Sequence, residues 1–214
     1  MKKFLFAAAI LFSTSAFSQS VWHWGVKGGA NFSFSKVTVN SNKITAGTRP
    51  GFFGGGILEF SPGDSDSHIK LQLEALYNDM NVNYPMQSIG KGLDHEKINL
   101  RQISVPLLMK IVVITPLTIN IGPTFNTNIG GKEKLIEDGG SIDKKFNKDN
   151  YKSFQFGGII GASYTLYKNF FVDARYNKQF GHANNINDGK IGFEYLNPNK
   201  VKWDDVQVGI GYMF

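Results

Sequence analysis

The chain has 214 residues, 24 glycines, no cysteine and a formal net charge of +6. That length suits one domain with a sizeable core, and the missing cysteines exclude a disulfide-stapled scaffold. No apolar run reaches the ~18 uninterrupted residues of a spanning helix, so entry into a membrane could only be by strands.

The chain opens with "MKKFLFAAAILFSTSAFSQS". Two lysines precede an apolar run from Phe4 to Phe12, and Ala16 and Ser18 are small residues set for cleavage ahead of Gln19. This is the layout of a secretory signal peptide. Residues 1–18 are therefore expected to be removed, leaving 19–214 as a single β-barrel domain of 214 − 18 = 196 residues. Loss of Lys2 and Lys3 takes the basic count from 23 to 21 against 17 acids, for a mature charge of +4. Export argues against a nucleic-acid partner despite that balance.

Eight segments then alternate with period two, the repeat of a two-faced strand. In chain order they are 21–34, 49–60, 68–78, 98–113, 117–128, 153–167, 170–180 and 203–214. Each is long enough for the ~9–11 residues of a tilted transmembrane strand. The connections alternate as well. Residues 35–48, 79–97, 129–152 and 181–202 are long and polar, whereas 61–67 ("SPGDSDS"), 114–116 ("ITP") and 168–169 ("KN") are tight turns. In a meander this puts every long loop at one end, as in outer-membrane barrels with short periplasmic turns and long extracellular loops.

The side chains say which face meets which solvent. Gly25, Gly29, Gly55, Gly122, Gly157, Gly161, Gly209 and Gly211 share parity with the polar residues of their strands. Small residues mixed with long polar ones suit the narrow interior of eight strands, so the polar face is placed inside and the apolar face in lipid. Trp22, Trp24, Phe60, Tyr212 and Phe214 then gather at the lower rim. Phe32, Phe34, Phe52, Tyr77, Phe125, Phe154 and Phe180 lie toward the upper one. Two aromatic belts match two membrane interfaces. The fold expected is all-β: an eight-stranded antiparallel up-and-down transmembrane β-barrel.

Four stretches carry a family resemblance. "WGVKGGANFS" is similar to the opening strand, "ISVPLLMK" to the fourth-strand pattern, "INIGPTF" to the fifth-strand "GP" motif and "FFVDARYNKQFG" to the seventh strand of the PorT-like outer membrane protein beta-barrel domain family of Bacteroidetes. Where that family carries an acid before the fourth-strand motif, this chain has Gln102 and Ser104. The resemblance implies residence in the cell outer membrane and insertion by the outer-membrane assembly machinery. It also implies that the C-terminal aromatics Tyr212 and Phe214 form part of the assembly signal.

Parity places Lys27, Glu59, Lys70, Glu74, Lys110, Asp173 and Arg175 in the lumen. Pairing Phe60 with Ile69 across the first turn sets Glu59 opposite Lys70. Charges removed from water must pair, so this cluster is expected to plug the barrel rather than conduct. The four histidines, His23, His68, His95 and His182, form no nucleophile-and-base motif. "DSDSH" (64–68) and "DHE" (94–96) have the character of solvated turns, and "NNINDG" (184–189) lacks the spaced carboxylates and closing glutamate of a calcium loop. No catalytic residue, cofactor or metal is expected.

Three functions stay open. One is a monomeric structural or surface-interaction protein, embedded in outer-membrane lipid, whose four long loops meet an envelope or extracellular protein. The others are a narrow transport or secretion-associated channel and a soluble periplasmic ligand-binding barrel. Mass spectrometry of the protein recovered from envelopes should find Gln19 at its N-terminus. An intact Met1 would remove the signal-peptide reading.

Overall fold

A computed structural model describes residues 21–39, 42–45, 47–62, 67–85, 95–137, 140–144, 151–181 and 200–214. The expected signal peptide, 1–18, lies outside the described residues, as do the centres of the four long connections. Among the described residues there are ten strands: β1 (Val21–Val39), β2 (Asn42–Thr45), β3 (Gly47–Ser61), β4 (Ile69–Pro85), β5 (His95–Ile114), β6 (Leu117–Glu137), β7 (Gly140–Lys144), β8 (Phe154–Tyr167), β9 (Phe170–Phe180) and β10 (Lys200–Met213). Eight of them form the barrel in the order β1-β3-β4-β5-β6-β8-β9-β10, and β10 closes on β1. All pairings are antiparallel. β2 and β7 pair only with the far ends of β1 and β6, as hairpin extensions above the barrel.

Closure runs from Gly25↔Met213 to Thr38↔Lys200. The ladder goes one bond further, because the Phe214 N–H donates to the Trp24 carbonyl at 2.7 Å. Among the described strands none is left as an edge in the wall, which meets the demand that every backbone polar group within hydrocarbon be paired.

The expected inside and outside faces are those observed. Trp22, Ile69, Ile210 and Phe156 face outward and exposed, whereas Lys27, Glu59, Glu74, Asp173 and Arg175 are buried inside. At the turn end Trp22 packs on Phe60 (4.8 Å between centroids), Trp24 on Phe214 (3.9 Å) and Phe170 on Tyr212 (4.8 Å). Nearer the loop end the contacts are Phe52–Tyr77, Phe125–Phe156 and Phe156–Phe180, at 5.5 to 5.7 Å.

Two expectations need correction. β3 and β4 pair Phe60↔Leu71 and Glu59↔Gln72, not Phe60 with Ile69. The shift is two residues, so every side chain keeps its face. The first turn is therefore wider than drawn, with Ser67 Oγ donating to the Pro62 carbonyl at 2.6 Å across it. The strands also run well into segments expected to be loops. β4 continues to Pro85 and β6 to Glu137.

The reason is visible on β4. From the turn end its outer face reads Ile69, Leu71, Leu73, Ala75, Tyr77 and then Asp79, Asn81, Asn83. Its inner face reads Lys70, Gln72, Glu74, passes Leu76 and Asn78, and ends with buried Met80 and Val82. β5 does the same, with outward Ile103 giving way to Arg101 and Asn99 while Leu100 and Ile98 turn inside. Above the aromatic belt the solvent outside changes from lipid to water, and the faces exchange character. Bulges between Arg49 and Phe52 and between Arg101 and Gln102 sit at this level, as bulges commonly do at barrel rims.

Glycine is required where neighbouring backbone crowds a position. A Cβ on Gly122 would run into the Leu107 carbonyl, whereas one on Gly56 would meet nothing within 4 Å. Gly122→Leu should cost at least the ~1–3 kcal/mol of an overpacked site. It should also lower the fraction showing heat-modifiable migration in unboiled gels. Gly56→Leu should leave that fraction unchanged, and equal damage by both substitutions would sink the assignment.

Candidate functional site: the polar lumen

All seven expected lumen residues project into the interior, and the structure sorts them into two groups. The lower group lies toward the turn end. Glu59 on β3 takes Lys110 of β5 at 2.7 Å and Lys70 of β4 at 3.3 Å. The two lysines stand directly opposite one another in the β4–β5 register. Like charges so placed repel, and the single carboxylate between them is what relieves that repulsion. Lys110 Nζ also lies 5.8 Å from the centre of the Phe171 ring.

The upper group is fully enclosed and neutral. Glu74 is its hub, with one oxygen 2.7 Å from Lys27 Nζ and the other 2.7 Å from Arg175 Nη1. Asp173 lies 3.2 Å from the same lysine. Gln72 donates to Glu74 at 2.5 Å, and Arg175 Nε donates to Gln207 at 2.7 Å. Lys27 and Arg175 both lie over the Phe53 ring, at 6.0 and 5.5 Å. The side chains of Lys27, Glu74 and Arg175 are at most 2% exposed. Ions so far from water are stable only with every charge matched, and here β1, β4 and β9 supply the matches from separate parts of the wall.

Above these ions lies a layer of amides and hydroxyls, with Asp205 buried beside Asn177, that the charge pattern alone does not reveal. Gln207 donates to Asn78, and Asn78 to Ser104, at 3.1 and 2.6 Å. Gln102 donates to Asn128 and Gln155, and accepts from Gln179. Higher still, Met80, Val82, Ile98, Leu100 and Trp203 are buried inside the barrel. The signal for the amide layer is in the sequence, because Asn78 shares parity with Glu74. The apolar layer carries the opposite signal, since its parity belongs to the polar face lower down.

Of the four histidines, His23 and His68 lie at the turn end, where they line the mouth of the lumen. His182 lies outside the described residues, as do Asp64–Asp66, Asp94 and the "NNINDG" segment. Among the described residues no three His, Cys, Asp or Glu side chains gather as metal ligands.

A closed barrel with an apolar exterior band, two aromatic belts and a polar, ion-paired interior is the build of an integral outer-membrane protein. Residues 17–183 match the model of the outer membrane protein beta-barrel domain, and the chain belongs to that family. It is a protein of the cell outer membrane. Among solved structures the chain is similar to Neisserial surface protein A (NspA), with 14% identity over 89% of this chain and 97% of that one and a TM-score of 0.47. It is also similar to Ail, the attachment invasion locus protein of Yersinia pestis, with 14% identity over 90% and 98% and a TM-score of 0.44. The translocator domain of the autotransporter NalP from Neisseria meningitidis is 11% identical, over 100% and 96%, with a TM-score of 0.37. No curated protein matches the chain.

Removing one member of a buried charge network leaves the others unpaired, at about 3–5 kcal/mol. Glu74→Gln should therefore destabilise the barrel by about that amount in urea unfolding from micelles, and by more than Glu59→Gln. In double-mutant cycles Glu59 should couple to Lys110 more strongly than to Lys70, within the ~0.5–3 kcal/mol seen for contacting groups. Simple additivity for both pairs would overturn the lower network.

Proposed function

We propose that the protein is a PorT-like member of its family with a closed lumen. It acts as a monomeric structural or interaction component of the envelope and meets its partner through the loop-end segments 35–48, 79–97, 129–152 and 181–202. Much of those segments lies outside the described residues. What favours them is position, for they cap the end that faces the exterior in outer-membrane barrels.

The observation that carries the closed lumen is the apolar group inside the loop end. Met80, Leu100 and Trp203 are each no more than 1% exposed. A hydrated path through the barrel would have to pass them. It would also have to break the Lys27–Glu74–Arg175 bridge below. Protein refolded into planar bilayers should therefore show no regular conductance steps. Steady single-channel openings would move the assignment to the narrow-channel alternative. The partner should be recovered by crosslinking on intact cells.

The closing strand carries the second part of this reading. Tyr212 and Phe214 contact each other at 4.9 Å on the outer face beside Trp24 and Phe170. We assign them as the mark read by the assembly machinery. Phe214→Asp should lower the fraction inserted in cells severalfold while scarcely changing refolding into detergent micelles, where no machinery acts. Normal insertion in cells would leave Phe214 as an interfacial anchor only.

A further inference from the structure

Below the Lys27–Glu74–Arg175 network the barrel holds a cavity of about 790 Å³ that opens between the short turns. Its size falls within the roughly 300–1,000 Å³ of small-ligand sites. Lys70 and Lys110 stand in its wall, Lys168 lies at its rim with its ammonium 5.3 Å from the centre of the Tyr167 ring, and Glu59 is the one acid among the described lining residues. Among the described residues three lysines thus stand against one carboxylate. Glu59 already serves two of those lysines, and it holds Lys70 less closely than Lys110. His23 faces Glu59 directly across β1 and β3, yet its Nδ1 is buried without a partner. The far wall adds the hydroxyls of Ser163, Thr118 and Thr165.

A structural plug needs matched charge, and the upper group has it. The lower one holds more cations than acids among its described residues, in a concave place at the turn end, and such a place focuses positive potential. We propose that this turn-end cavity binds a small phosphoryl anion, held by Lys70, Lys110 and Lys168 with His23 and the hydroxyl wall completing its contacts. Ammonium groups serve a tetrahedral phosphate as point charges from any side, and the cavity's described lining includes no arginine. On binding, Lys70 turns from Glu59 to the ligand and Lys110 keeps the carboxylate paired. The cavity belongs to the turn end, which faces the periplasm in barrels of this kind, so the anion arrives from that side. This inference does not depend on what the loops bind.

The test is calorimetric titration of the mature barrel, refolded in an uncharged detergent, with inorganic pyrophosphate. One saturable site is expected. Lys70→Gln leaves Glu59 paired with Lys110 and should weaken it about tenfold, as for a lost charged hydrogen bond. Lys168→Gln at the exposed rim tests the same site without touching the buried pair and should also weaken binding. Lys178→Gln, at the opposite end, should change nothing. Heat-modifiable migration checks that each variant is folded. Micelles doped with phosphatidylglycerol separate two sources of the phosphoryl group: competition by the lipid assigns a headgroup, and unchanged binding assigns a soluble anion. Absence of saturation, wild-type affinity in both lysine variants, or equally tight binding of citrate would overturn the proposal.

Discussion

The closing ladder between β10 and β1 is the contact on which everything else depends. In hydrocarbon an unpaired backbone group costs several kcal/mol, so a sheet with two free edges cannot reside there. Pairing from Gly25↔Met213 to Thr38↔Lys200 removes both edges at once. It also brings Trp24 against Phe214 and sets the aromatic rim at the turn end. The circumference follows from the number of strands joined, and with it the width of the interior.

That width dictates the interior chemistry. An eight-stranded barrel has room for side chains and little else, so polar groups facing inward must satisfy one another. Glu74 illustrates the solution. Its two oxygens reach Lys27 and Arg175, which come from strands far apart in the chain. Arg175 then passes the network upward through Gln207 to Asn78. The inward glycines belong to the same constraint, because they leave space for these long side chains and for close backbone approach. Gly161, for example, lies against Arg175, so that a Cβ there would come within 2.5 Å of the arginine Cβ.

Two solvents act on the outer wall, and the inner wall responds to the change between them. Where lipid surrounds the barrel, apolar residues point out and charges point in. Where water begins, Asp79 and Asn81 point out, and Met80 and Val82 point in. The upper portion is thus packed like a water-soluble barrel standing on a membrane-embedded one. The cavity at the other end follows neither pattern. Among its described residues the charges are unbalanced, and that imbalance separates it from the packed interior above.

Period-two alternation, inward glycines and aromatic belts are local, one-dimensional signals, and from them the sequence by itself determined eight strands, their faces and the seven charged lumen residues. Parity is enough for this, because a strand's side chains can point only two ways. Register was beyond it. Phe60 pairs with Leu71 rather than Ile69 because the width of a turn is a three-dimensional quantity, and either pairing keeps the same faces. The extent of β4 and β5 was hidden for a related reason. Alternating hydrophobicity marks one face only while the solvent outside stays the same, and that solvent changes partway along the strand. The division of seven charges into a matched group and an overloaded one belongs to the tertiary structure alone. Only closure brings residues from five strands to common heights in one lumen.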